Sequence, residues 1–270
     1  MDKLSTYGFP RGGIRCYYYT ASVENALDII RCNHLFGSLP SKVNDPDDLR
    51  IVISDISISP LLKSTGLNGQ EIEDKINEAF EKNEKTNRTN KMDRIFRFAC
   101  FAMADKVDKD SKSEIRFWNE YADHFKGVRF TFQVDREFLT MPKPDDAFCG
   151  MISYNGHIAT IDASNYSTID DIKSQIASES FLRDLCYSKS PKWANEYELR
   201  LGSVYSRLNL EMSQKTSKEE RFFTFAPAAL KEMVVGYRAS DRDVALLKFE
   251  TSNRNVTLQR AGINLQFDTI

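Results

Sequence analysis

The segment Trp193-Ala194-Asn195-Glu196-Tyr197-Glu198-Leu199-Arg200-Leu201 holds the residues best suited to chemistry. Read as a strand, period two puts Glu196, Glu198 and Arg200 on one face and Trp193, Tyr197, Leu199 and Leu201 on the other. Two carboxylates about 7 Å apart on one face repel mildly unless a cation or hydroxyl lies between them. The pattern admits two readings: an outward face on which Arg200 pairs Glu198, or an acidic edge that waits for a ligand. A second cluster, Trp118-Asn119-Glu120-Tyr121-Ala122-Asp123-His124, stacks Trp118 near Tyr121 at helical spacing, with His124 beside Glu120. Those rings serve either as core or as a stacking platform.

Elements that would position these groups follow from the hydrophobic pattern. Tyr17 to Thr20 reads as an aromatic strand, then a helix capped by Ser22 or Thr20 with Val23, Ala26, Leu27 and Ile30 inward. Leu35 to Ser38 is a short apolar stretch, and Pro40 with Asn44-Asp45-Pro46 forces a turn. Residues 69–97 read as a polar helical insertion. Phe98 to Met103 is a buried strand, Asp105 to Lys112 a charged loop, and Glu114 to Phe125 a helix stopped by Gly127. Val128 to Val134 alternates at period two, with Val128, Phe130, Phe132 and Val134 facing a core. Further strands are expected at Met151 to Tyr154, Glu196 to Tyr205, Arg221 to Phe225, Met233 to Gly236 and Val256 to Arg260. Helices are expected from Ser167 through Leu185, briefly at Pro227, and from Ser240 to about Phe249. With no internal repeat, this gives one α+β domain over 1–270, a mixed and mainly antiparallel sheet flanked by helices.

Composition narrows the chemistry. The 270 residues carry 37 Lys+Arg against 39 Asp+Glu, a net charge of −2, which disfavours generic coating of nucleic acid. Five cysteines without a C-x-x-C pair and three separated histidines form neither a disulfide framework nor a metal ligand set, so no metal is expected and a reducing compartment fits. Met1 to Gly13 lacks the apolar run of a signal peptide, and no stretch suits a membrane; a cytoplasmic protein is expected. G-x-G-x-x-G, the Walker loop, G-x-S-x-G and H-E-x-x-H are all missing, which removes the common dinucleotide, triphosphatase, hydrolase and metalloprotease readings.

Taken in order, Tyr17 to Thr20, Asn44-Asp45-Pro46, Cys100-Phe101, Trp118, Tyr121-Ala122, Lys126-Gly127-Val128, Lys189, and Trp193, Glu196, Glu198 and Arg200 resemble the bacterial domain of unknown function family 2971. The resemblance covers about Tyr17 to Val256. Asp47-Asp48 replaces that family's aromatic-acidic pair. The family's order of elements in turn looks like a distant version of the ADP-ribosyltransferase fold. In that fold a first-strand histidine or arginine grips NAD, a central strand offers a serine or tyrosine, and Glu-x-Glu supplies the acid. Only Glu196-x-Glu198 matches; the first-strand position falls at Tyr18 and the central strand has Ala102.

The resemblance implies an NAD-using ADP-ribosyltransferase or NAD glycohydrolase of the bacterial cytoplasm, a toxin-like effector in phage defence, with NAD as substrate and a protein or nucleic acid as acceptor. Glu198 would stabilise the oxocarbenium-like state and Glu196 would orient the acceptor. Tyr18, Tyr19, Ser38, Asn44, Asp45, Trp118, Tyr121 and Arg200 would line the ligand cleft. A non-catalytic nucleotide- or protein-binding module on the same fold is the alternative. A nuclease would need clustered carboxylates with a metal, which Asp45, Asp47, Asp48, Glu196 and Glu198 could supply.

Overall fold

The computed structural model describes residues 9–42, 48–49, 51–54, 66–80, 96–143, 147–156, 158–176, 178–204, 209–212, 219–263 and 265–270. By its internal contacts the chain forms two compact units: Met1–Thr6, Ser38–Arg97 and Ile152–Ala194 make one, and Tyr7–Gly37, Phe98–Met151 and Asn195–Ile270 the other. The expected insertion supplies α2 (Gly69–Phe80) to the first unit, where it contacts α5 (Ile169–Ile176). That unit also holds a parallel pair, β3 (Ile51–Ser54) with β8 (Ala159–Asp162), and α6 (Glu179–Tyr187) against β8. The helical pattern expected to run from Ser167 through Leu185 is two helices, the second capped by Ser178 Oγ accepting from the Phe181 amide.

The second unit is built on an eight-stranded sheet ordered β14-β13-β12-β5-β1-β4-β9-β7. Its strands are β1 (Ile14–Thr20), β4 (Phe96–Met103), β5 (Val128–Val134), β7 (Ala147–Met151), β9 (Glu198–Val204), β12 (Leu230–Val235), β13 (Thr257–Ala261) and β14 (Phe267–Thr269). The pairings β1–β5, β1–β4, β5–β12 and β7–β9 are antiparallel and β12–β13 is parallel, so the sheet is mixed and mostly antiparallel. A smaller sheet joins β11 (Glu219–Phe225) to β10 (Asn209–Met212), β2 (His34–Phe36) and β6 (Leu139–Met141).

One face of the large sheet is apolar. Cys16, Phe101, Phe130, Phe132, Leu199 and Leu201 are buried there in one cluster, closed by α1 (Val23–Cys32) and α7 (Asp241–Thr251). Ser22 caps α1 by accepting from the Asn25 amide, and Ser240 caps α7 by accepting from the Asp243 amide. Each cap satisfies a backbone donor that the helix itself leaves open.

Three sequence expectations are corrected. Residues after Met103 are helical as α3 (Ala104–Val107), followed by α4 (Ser111–Glu120), where a charged loop and a helix over 114–125 were expected. Asp123, His124 and Phe125 all have left-handed backbones, φ 44°, 52° and 67°. This conformation costs non-glycine residues energy, and tertiary stacking offsets it: the turn lays Phe125 over Trp118, centroids 5.1 Å apart and planes 7° from parallel. Close approach is required on both sides of that turn, since a Cβ at Gly127 would sit 1.9 Å from the Thr20 carbonyl oxygen and one at Gly236 2.0 Å from that of Phe125. The strand expected at Met151 to Tyr154 lies earlier, as β7, because its pairing with β9 runs from Ala147↔Ser203 to Met151↔Leu199. The Glu196 segment also departs from the strand expected over Glu196 to Tyr205.

Candidate functional site

Pro191–Glu196 is a 3₁₀ turn, and β9 begins only at Glu198. Between them Tyr197 has φ 48°, a left-handed residue that breaks the period-two register. Glu198 and Arg200 therefore share a strand face, as expected, while Glu196 reaches its place from the turn. Leu199 and Leu201 enter the apolar cluster, so Glu198 and Arg200 lie on the other face of the sheet.

That face is charged yet buried. Glu198 is 4% exposed and Arg200 wholly enclosed, and the Arg200 Nε donates to Glu198 Oε1 at 2.7 Å. The Arg200 guanidinium carbon also stands 5.2 Å from the Phe98 ring centroid. Glu196, also buried, accepts from the Tyr121 hydroxyl at 2.8 Å and from Arg116 Nη2 at 3.4 Å. Burial, reinforced by the Glu196 charge, pushes the Tyr121 phenol well above its ordinary value, so it stays a donor. Arg116 lies on α4 and Tyr121 is its C-cap, and the helix is tied to the turn by Ser113 Oγ donating to the Asn195 carbonyl at 3.1 Å and by Arg116 Nη1 donating to Asn195 Oδ1 at 2.5 Å. The Tyr197 hydroxyl donates to Asp110, the N-cap of α4, at 3.4 Å.

A second cluster on this face was not anticipated. Arg129 on β5 is buried, donates to Glu114 Oε1 at 2.7 Å and to Glu232 Oε1 at 3.1 Å, and lies 4.1 Å from the Tyr17 ring centroid and 4.6 Å from that of Phe267. Thr131 Oγ1 adds a bond to Glu232 at 3.0 Å. Burial raises the Glu114 carboxyl while the Arg129 charge pulls it down, and burial raises the Tyr17 phenol to about 12. The one signal in the sequence was Arg129 and Thr131 standing between strictly apolar neighbours; nothing local told whether that face was wet or covered.

The expected site residues divide accordingly. Tyr19 shares the charged face, stacked on Phe117 at 5.3 Å and edge-on to Trp118 at 5.6 Å. Trp118 is entirely buried in a cluster with Ala122, Phe125 and Val234, which fits packing better than an open platform. Tyr18, expected beside the acids, points to the apolar face, 5.8 Å from Phe101 and 6.5 Å from Phe130, and its burial raises the phenol to about 12. Ala102, opposite Tyr17 in the β1–β4 register, is buried with it. His124 stands exposed in the left-handed turn, off the ridge of Glu120. Ser38 belongs to the first unit, as do Lys189 and Trp193, whose ammonium and ring lie 5.5 Å apart. Asn44, Asp45 and Asp47 lie outside the described residues. Among the described residues no three His, Cys, Asp or Glu side chains gather as a metal-ligand set, and no helix is long and apolar enough to cross a membrane.

The face thus combines two fixed carboxylates within three residues, hydroxyl and guanidinium donors upon them, and a bank of tyrosine and phenylalanine rings. Fixed, desolvated carboxylates of this kind can stabilise a developing positive charge, and rings of this kind can stack on a planar base. Comparison of the chain with family models, curated proteins and solved structures finds no match.

Proposed function

We propose that the chain is an NAD-using protein of ADP-ribosyltransferase or NAD glycohydrolase type, with Glu198 as the carboxylate that stabilises the oxocarbenium-like state and Glu196 as the group that orients the acceptor. Support comes from one observation above all: Glu196 and Glu198 flank the left-handed Tyr197, are both nearly withdrawn from water, and are each held by donors. A desolvated carboxylate in a fixed place stabilises positive charge far better than a hydrated one. The tyrosines of this face, Tyr19 and Tyr121, are the rings nearest in role to a nicotinamide or adenine platform. The setting proposed with it, a toxin-like effector of phage defence in the bacterial cytoplasm, rests on the family resemblance.

Purified protein incubated with NAD is expected to release nicotinamide, and Glu198→Gln to slow release by about 100-fold or more, the scale of one positioned electrostatic group. A circular dichroism spectrum and melting curve of the variant separate lost chemistry from lost fold. NAD left intact after long incubation with protein and nucleic-acid acceptors overturns the catalytic reading.

The alternative, a non-catalytic nucleotide-binding module, is favoured by a different observation: the Arg200 guanidinium already engages Glu198, and Ala102 offers no hydroxyl on the central strand. Thermal-shift measurements against NAD and ADP-ribose divide the two, since a ligand at about 100 times its dissociation constant adds about 2.7 kcal/mol whether or not it turns over.

A further inference from the structure

A cleft of about 660 Å³ opens in the second unit where β1 begins and β4 and β7 end. None of Glu196, Glu198, Arg200 or Tyr121 lines it. Its apolar wall is Ile14, Met103 and Met151, the last 59% exposed, and thioethers of this kind adapt to varied apolar partners. Its polar wall comes from the start of β1 and from α3 and the residue after it: Arg15, Asp105, Lys106 and Asp108.

These four charges are not equivalent. Arg15 is committed: its Nη2 donates to Asp108 and, at 3.1 Å, to the Tyr17 hydroxyl, which itself donates to Asp108 at 2.5 Å. Lys106 and Asp105 are only loosely joined, 3.9 Å apart with side chains 51% and 61% exposed. An exposed pair at that distance gains little from its own contact, so both ends can turn to a guest at small cost. A guest with a single charge would satisfy one of them and crowd the other with like charge. A guest with both charges satisfies the two together, and its apolar part has Met103, Met151 and Ile14 to lie on. The volume falls in the range of small-molecule sites.

We propose that this cleft binds a small zwitterion, an α-amino acid with an apolar side chain: its carboxylate pairs with Lys106, its ammonium with Asp105, and its side chain rests on the methionines. The proposal is independent of the NAD reading, because it uses none of those residues. Isothermal titration of the full chain with L-methionine, L-leucine and L-phenylalanine tests it, each beside its methyl ester and its N-acetyl form. At least one free amino acid is expected to bind, and masking either charge to weaken it about 10-fold or more, the scale of a lost charge-assisted hydrogen bond. In Lys106→Ala the ester and the free acid should bind alike; in Met151→Asp binding should be lost. Absence of heat with all three amino acids at millimolar concentration overturns the proposal, as does equal binding of masked and unmasked forms. Because the masking series uses the unaltered chain, it decides the matter even where a variant fails to fold.

Discussion

The two faces of the eight-stranded sheet are made by the same strands and solve burial in opposite ways. On one, Phe101, Phe130, Phe132, Leu199 and Leu201 exclude water by area alone, a force without direction. On the other, Tyr17, Arg129, Glu198 and Arg200 are just as deeply enclosed, but each needs a named partner at hydrogen-bond distance or at a ring face. The first face tolerates any apolar residue of suitable volume, whereas the second tolerates only groups that complete one another. Specific geometry, and with it the candidate chemistry, gathers where burial had to be matched by direction.

The sharpest way to break this contrast is to remove one charge and then its partner. Arg200→Met should destabilise the fold by about 3–5 kcal/mol because buried Glu198 loses its guanidinium partner, and the double variant Glu198→Leu with Arg200→Met should recover most of it. Urea midpoints in a double-mutant cycle measure the coupling, and an additive cycle would mean the pair is not what holds this face. On the apolar face, Phe132→Ala should also cost about 3–5 kcal/mol, with no second substitution on the charged face able to restore it. At the edge of the comparison, Gly236→Ala should cost about 1–3 kcal/mol by driving a methyl into the Phe125 carbonyl, read as a lowered melting temperature.

The smallest effect is a titration. Glu114 has a folded-state value raised by burial, so the folded chain binds its proton where the unfolded chain has released it. Its contribution to stability is complete below the unfolded value and is lost as pH rises through the folded one. Asp110 is the reverse: lowered chiefly by the Ser113 hydroxyl, it contributes above its unfolded value and loses that contribution as pH falls through the folded one. As pH rises above the ordinary carboxylate value, Glu114→Gln is expected to flatten the fall in stability, as followed by urea midpoints at each pH.

Much of the scaffold was legible locally. Period two over Val128 to Val134, the serine caps of α1 and α7, and the buried strand ending at Met103 all stand where the pattern put them, within a residue or two. The acids were legible as a cluster, and so was the sharing of a face by Glu198 and Arg200. What failed, failed for identifiable reasons. Tyr197 resets the register by one left-handed residue, and no L-residue pattern announces that. Phe125 leaves the helix to stack on Trp118, so packing overrode the helical spacing of Glu114 to Phe125. Arg129 reads as an outward strand charge until Glu114, Glu232 and Phe267 are brought to it from 15, 103 and further residues away.

Local pattern was enough to set the alternation of Val128 to Val134, the serine caps of α1 and α7 and which side chains carry charge, since these depend on neighbours within one or two turns of chain. Only the tertiary structure decided which of those charges are enclosed and with whom they pair. Desolvation and ion pairing depend on atoms brought together from distant parts of the chain, and local spacing holds no record of them.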